Sequence, residues 1–429
     1  MKTVRLENAS FGLSSARIDE VNKVVEFDSE NGALNVHVLE SPRLISFNSP
    51  AENELVKEIL SGNLDQSQIR IIHNLPVSDA YSAPFKIYLD ITLNCLSSCP
   101  FCLAGVKPGM AVDLPTDTIR QVAKEAHELG VLYIKVGGGD PSLHPDFFEI
   151  ISILRSEGLF VTLSTNSTNL NPLMARFLAM NKVRISVSIE GMERVDDSLR
   201  GAGHFHKAMA ALEMLKEAGA DVVFRTTLLR QNLNDIPGLV KLAKSRAVKI
   251  KFSYCRSAGR AITSQAMLSD ADYPGYLKAL EFLNSPEILP HVLMDEGMMF
   301  QQPTEISNKL YLGRMCGAAN RSMHINALGK ISPCVFLGSD FSFGKIYEDG
   351  SIIDFWRGNV GNKFKDVRKI QQPHECDNCD RLCKNECPAN RLYFHGNFFE
   401  QDPNCLNEVR RKMEKNSFKL TKGVTDETS

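Results

Sequence analysis

Phe85-Lys86-Ile87-Tyr88-Leu89-Asp90-Ile91-Thr92-Leu93-Asn94 runs directly into Cys95-Leu96-Ser97-Ser98-Cys99-Pro100-Phe101-Cys102. The first half is strand-like over Lys86–Ile91, and the second is one loop carrying three cysteines at C-x3-C-x2-C spacing. A regular alternation starts here. Further strand-like runs occur at Tyr133–Val136, Phe160–Leu163, Val183–Ile189, Val222–Thr226 and Val248–Ser253. Helical patterns lie between them at Thr116–Leu129, Asp146–Ser156, Pro172–Met180, His206–Ala218 and Ile236–Ala247. Repeated βα units imply parallel strands joined by right-handed crossovers. The fold expected is α/β. Six units fit a partial (β/α)6 TIM-like barrel better than an open doubly wound sheet, although periodicity alone leaves closure open. In such barrels chemistry sits at the C-terminal ends of strands, which is where the cysteine loop falls.

Outward from that unit, the 429 residues divide into roughly two to four domains. We expect a small α+β module over 1–82, the barrel over 83–302, a cysteine-rich domain over 303–409 and a polar tail over 410–429. The module combines strand-like runs (Val24–Phe27, Leu34–Leu39) with a helix over Pro50–Leu60, and the polar stretch 78–84 reads as a linker. After Pro303 the chain breaks into Gly-, Asn- and Cys-rich pieces with little core-forming periodicity, a region expected to need metal staples. With 49 Lys+Arg against 51 Asp+Glu, bulk charge gives no argument for a nucleic-acid partner. No apolar run reaches the roughly 18–20 residues that span a bilayer, and the N-terminus lacks a secretory pattern. A cytoplasmic enzyme is the expectation.

Cysteine usage narrows the class. Of 11 cysteines, three lie at 95–102 and seven between Cys316 and Cys405; Cys255 stands apart. In a reduced compartment, clustered thiols read as metal ligands before disulfides. Cys95, Cys99 and Cys102 can grip one face of a [4Fe–4S] cube and leave a fourth iron without a protein ligand, whereas zinc would recruit a fourth ligand. Cys376-x2-Cys379-x3-Cys383-x3-Cys387-Pro388 resembles the two-cluster ferredoxin pattern with one extra residue. There the fourth cysteine crosses to the other cluster. On that geometry Cys376, Cys379, Cys383 and Cys405 form one set, and Cys387 joins Cys316 and Cys334 in a second with one position vacant or reached by substrate. Cys255 reads by default as a buried structural thiol.

The loop resembles the signature of radical S-adenosylmethionine enzymes, C-x3-C-x2-C with an aromatic before the last cysteine. Later strand ends continue the likeness. Gly138-Gly139-Asp140-Pro141 is similar to the family's G-G-E-P, Ser164-Thr165-Asn166-Ser167-Thr168 to S-T-N-G-T, Ser188-Ile189-Glu190-Gly191 to S-x-D-G, and Arg200-Gly201 to the R-G that follows. The resemblance implies that the open iron chelates S-adenosylmethionine and that the reduced cluster cleaves it to a 5′-deoxyadenosyl radical. It also implies cofactor contacts from Gly138, Gly139, Asp140, Asn166, Ser188 and Arg200, the last with the methionine carboxylate. Phe101 and Tyr254 are candidates to flank the adenine. Alone, each has a plainer reading: a glycine turn, an Asn turn, a strand-end hydroxyl, a surface ion pair.

The C-terminal region resembles the SPASM domain, which adds two auxiliary [4Fe–4S] clusters, making three in all. SPASM enzymes largely modify peptides and proteins. The N-terminal module is similar in outline to the winged-helix (PqqD-like) domain that takes a leader peptide as an added strand, though a structural cap on the barrel fits nearly as well. The expected function is oxidative modification, a crosslink above all, of a ribosomally made precursor peptide, with a flavodoxin, ferredoxin or reductase as electron donor. The alternatives are a sulfatase-maturing enzyme, whose usual Asp after the second SPASM cysteine is Val335 here, and a radical enzyme of cofactor or haem biosynthesis.

Overall fold

The computed structural model describes the backbone of five strands between residues 2 and 71. It describes most of 83–294, 316–368 and 387–405 with side chains. The helix expected over 50–60, the linker up to Ser82, Cys376, Cys379, Cys383 and the tail over 410–429 lie outside the described residues. Strands β1 (Lys2–Asn8), β2 (Gly12–Asp19), β3 (Val24–Asp28), β4 (Leu34–Val38) and β5 (Arg70–Ile71) form an antiparallel sheet in sequence order.

The main sheet has nine strands. From one edge it runs β12 (Val292–Met294), β11 (Ile250–Tyr254), β10 (Asp221–Leu228), β9 (Arg184–Ser188), β8 (Phe160–Thr165), β7 (Tyr133–Gly138) and β6 (Lys86–Thr92), then β13 (Ser322–Ile325) and β14 (Ile331–Ser332). The strands β6 to β12 are parallel and sit in sequence order, which is the signature of repeated right-handed βα crossovers around an incompletely closed barrel. Five helices match the expected positions: α1 (Thr116–Glu128), α2 (Phe147–Ser156), α3 (Pro172–Met180), α5 (His204–Glu217) and α6 (Ile236–Ser245). Two more were not legible, α4 (Glu193–Arg200) and α7 (Tyr273–Leu283).

Strand burial alternates. Ile87, Leu89 and Ile91 of β6 are fully buried among residues such as Ile134, Val136, Leu163, Ile185 and Val187. The intervening residues (Lys86, Tyr88, Asp90) are half-buried, and Lys86 and Lys135 both stack on the Tyr88 ring. A strand buried on both faces reads as a continuous apolar run. The alternation therefore marks a second face that is polar and partly open.

The region after Pro303 differs from expectation. Four-residue β13 pairs in parallel with β6 along Ser322↔Lys86 to Ile325↔Leu89, so the barrel sheet continues into the C-terminal domain. Trp356, Phe355 and Ile352 from α8 (Ile352–Arg357) and Phe364 from α9 (Lys363–Arg368) are buried in the same core as the barrel strands. These few large side chains build a core without a periodic pattern. Glu125 of α1 completes the seam. Its carboxylate accepts from the amides of Ile352 and Ile353 and from Tyr347 Oη at 2.9 Å, so a barrel residue caps the N-terminus of α8. Burial and that carboxylate push the Tyr347 phenol well above its usual range.

Candidate active site

The residues of the barrel motifs meet at the C-terminal ends of β6 to β11. The cysteine loop leaves β6 and is clamped by the glycine turn after β7. Gly139 donates its amide to Thr92 O at 2.7 Å and Asp140 to Asn94 O at 2.8 Å. A Cβ at Gly138 would lie 2.3 Å from Thr92 O, and one at Gly139 2.1 Å from Asn94 O. Gly138 also has φ +108°. The two glycines are thus steric requirements for seating the loop.

Cys95 and Cys99 are buried, and Cys102 is half-buried. The Ser97 amide and Asn166 Nδ2 donate to Cys95 Sγ at 3.4 and 3.3 Å, and Arg200 Nη1 approaches Cys99 Sγ at 3.8 Å. Donors aimed at sulfur favour the thiolate that iron needs. Burial pushes both thiols up in the metal-free chain, opposed at Cys95 by the Ser97 amide and at Cys99 by the Arg200 cation.

Asp140 is fully buried and committed to the protein. Its carboxylate accepts from the Ser142 amide and hydroxyl, Thr165 Oγ1 and the Asn166 amide, tying the end of β7 to the end of β8. These four bonds fill its acceptor sites. The acid therefore shapes the turn.

Behind the loop lies a polar network that the sequence did not announce. Glu190, 1% exposed, pairs with Arg200 at 2.5 Å and accepts from the Thr227 amide at 2.6 Å. Its own amide donates to Asp196, which contacts His204 Nδ1; His204 Nε2 meets Asn166 O at 2.9 Å. Asn232 Nδ2 bridges the carbonyls of Glu190 and Thr227. The chain from Asn166 to Arg200 thus locks two groups that touch cysteine sulfurs. Burial disfavours the Arg200 cation, and Glu190 more than restores it, so the guanidinium stays charged. Ser188 ends β9, half-buried and in register with Arg225. Phe101 carries the Arg200 guanidinium on one ring face at 5.4 Å, and Tyr254 carries Arg256 at 4.1 Å, so one face of each proposed adenine neighbour is committed to an arginine.

Cys255 packs with Cys99, Phe101, Leu199 and Leu229 in a small cluster under the loop. Burial pushes its thiol up to about 12, with Glu190 adding to it, which keeps it neutral. Cys316 and Cys387 lie near enough to Cys334 to be felt: burial pushes the Cys334 thiol up, Cys316 and Cys387 add to it, and Arg256 opposes them. Burial pushes Cys387 up to about 12. Amides two residues on donate to Cys316 Sγ (from Ala318) and Cys334 Sγ (from Phe336), repeating the pattern at Cys95. Arg256 lies between the Tyr254 and Phe336 rings, joining this group to the end of β11. Cys405 is buried; its amide donates to Asp402 O, while Asp402 Oδ2 accepts from the Cys387 amide.

Buried polar side-chain atoms without a hydrogen-bond partner gather at this mouth. They include Ser167 Oγ, Arg200 Nε and Ser257 Oγ. Ser167, standing where the resembled motif has glycine, sits at φ +66°. Unpaired buried donors beside three convergent thiols fit a cluster and an amino-acid-bearing cofactor.

Comparison with known proteins agrees. Residues 89–243 match the radical SAM superfamily and residues 316–380 match SPASM, an iron–sulfur cluster-binding domain. Mycofactocin maturase MftC of Mycobacterium tuberculosis is 27% identical over 331 residues, 76% of this chain and 83% of that protein. AdoMet-dependent heme synthase of Methanosarcina barkeri is 27% identical over 363 residues, 77% of this chain and 99% of that one. Among solved structures, Streptococcus suis SuiB bound to its precursor peptide SuiA superposes with a TM-score of 0.63 at 17% identity, covering 85% of this chain and 84% of SuiB. That likeness shows the fold. Among the described residues no helix is long and apolar enough to cross a membrane.

Proposed function

We propose that this radical SAM–SPASM enzyme is a peptide maturase that oxidatively modifies, by crosslinking, a ribosomally made precursor. Cys95, Cys99 and Cys102 ligate the cluster that binds S-adenosylmethionine. Main-chain groups of Gly138 and Gly139 take the methionine amine, and Arg200 with Ser188 takes the carboxylate. Asp140 and Asn166 position those groups, and Phe101 and Tyr254 border the adenine. When bound, the reduced cluster supplies the electron that cleaves the sulfonium and so provides a hydrogen-abstracting radical. The chain's own part is to hold the loop at a fixed register, present N–H donors to sulfur, keep Arg200 charged against Glu190 and exclude water beneath Cys99.

Two auxiliary clusters complete the reading, one on Cys316, Cys334 and Cys387, the other on Cys376, Cys379, Cys383 and Cys405. Cys316, Cys334 and Cys387 would hold the first beside Arg256, which stacks on Tyr254 at the end of β11, and a cluster there would supply an electron acceptor close to the barrel mouth. The domain limits proposed are those read above, with the module over 1–82 receiving the leader and an external flavodoxin or ferredoxin reducing the protein in the cytoplasm.

The observation that carries the peptide reading is similarity along most of its length to a maturase, on a fold shared with a peptide-bound enzyme. The test is anaerobic incubation with S-adenosylmethionine, reductant and the product of a short reading frame beside the gene. Loss of two hydrogens from the peptide with matching 5′-deoxyadenosine is expected. The 99% coverage of a heme synthase keeps a second reading in play. Formation of haem, with the peptide unchanged, would select it.

A further inference from the structure

The segment after β11, from Cys255 to Ser264, lies outside both family matches and holds an unusual arginine. Arg260 is fixed to the cysteine loop at two points: its amide donates to Cys102 O at 3.0 Å and its Nε to Cys99 O at 2.8 Å. The approach depends on Gly259 at φ +57°, where a Cβ would sit 2.3 Å from both Cys102 O and Leu103 O. The side chain is therefore held at its base, and Nη1 and Nη2 are both buried without a hydrogen-bond partner.

A guanidinium cannot shed its proton, so burial without a partner is costly unless a ligand supplies one. Two arginines bond to the residue at position 99, and they differ in charge balance. Arg200 is neutralised by Glu190 at 2.5 Å. Among the described residues no carboxylate comes within ion-pairing distance of Arg260. Two parallel terminal N–H groups match a carboxylate in bidentate geometry. The surroundings face outward: Leu103 and Ile262 are 36% and 37% exposed, and Tyr393 Oη, on an exposed ring, lies 3.4 Å from Ile262 O.

We propose that Arg260 is the receptor for a carboxylate of the peptide substrate, flanked by apolar residues that rest on Leu103, Ile262 and Tyr393. This rests on the peptide reading above. The carboxylate is either the peptide's C-terminus or an Asp or Glu side chain.

The experiment uses anaerobically reconstituted full-length protein with S-adenosylmethionine bound, and ligand-observed NMR with three probes: N-acetyl-leucine, N-acetyl-leucinamide and N-acetyl-glutamic acid α-amide. One of the two acids should bind about 10- to 100-fold more tightly than leucinamide. Preference for N-acetyl-leucine identifies the C-terminus; preference for the glutamyl probe identifies an internal acid. Arg260→Gln should erase the preference and Arg260→Lys should keep part of it, the comparison being made at saturating S-adenosylmethionine because both variants lose the Nε bond to Cys99 O. Equal binding of all three probes to the wild-type protein overturns the proposal, and that comparison needs no variant to fold. An acid preference that survives Arg260→Gln also overturns it, because the guanidinium is then not the receptor. Neither failure touches the maturase reading, which stands or falls on the peptide mass.

Discussion

Gly139→Ala tests the seating of the cysteine loop, and its neighbour provides the control. The added Cβ would lie 2.1 Å from Asn94 O and 2.7 Å from Asn94 C, both main-chain atoms. Normal carbon–oxygen contact requires the two segments to part by about 1 Å. That movement breaks the buried bonds Gly139 N–Thr92 O and Asp140 N–Asn94 O. At about 1–3 kcal/mol for each stranded pair, the cost is about 2–6 kcal/mol. Gly137→Ala meets only Asp90 Oδ1 at 3.3 Å, a side-chain atom that can yield, and should cost under about 1 kcal/mol. Anaerobic urea unfolding of both variants gives the stability difference. Iron content and the rate of 5′-deoxyadenosine formation report the loop, where a displacement of about 1 Å is worth on the order of a hundredfold in rate. A Gly139→Ala protein with wild-type midpoint, iron content and turnover would refute the steric reasoning.

Glu190→Ala strands a buried arginine and should cost about 3–5 kcal/mol, with S-adenosylmethionine restoring more stability to the variant than to the wild type because its carboxylate replaces the lost one. An equal midpoint shift in both proteins would place the methionine carboxylate elsewhere. Asn166→Ala removes the side-chain donor on Cys95 Sγ, so the potential of the first cluster should fall, as read by EPR-monitored redox titration. Glu125→Ala removes the acceptor for the first two amides of α8 and for Tyr347, leaves the Ser351–Asp354 cap in place, and should cost about 2 kcal/mol, with hydrogen exchange accelerated over 345–367 and unchanged over β8 to β10. Cys334→Ala should lower iron by about a third while sparing cofactor cleavage in the absence of peptide.

Six of the barrel strands, β6 to β11, and five of its helices were legible because each carries its own period, two for the strands and about 3.6 for the helices; the three-residue strand β12 was not. Helix α4 escaped because Glu193, Arg194, Asp196, Asp197 and Arg200 leave only Val195 and Leu199 as apolar marks. Strand β13 escaped for a different reason: Ser322-Met323-His324-Ile325 is too short to signal by itself, and its partner lies more than two hundred residues earlier. The clustering of the cysteines was legible from spacing. The residues that hold them were not, since Asp196, His204, Asn232 and Arg260 belong to no contiguous pattern and acquire meaning only where distant loops meet. Arg256 followed Cys255 in sequence, yet its place against Cys334 depends on the C-terminal domain folding onto β11.

The pairing of β13 with β6 bears on how the molecule is made. The ribosome releases the strand that feeds the first cysteine loop long before it releases the strand that shields its flank. Until Ile325 emerges, one side of β6 presents bare main-chain donors and acceptors to any other nascent chain. Synthesis halted after Met294 should therefore yield aggregates, and slowing translation between these two points should lower the harvest of intact protein even where every residue is correct.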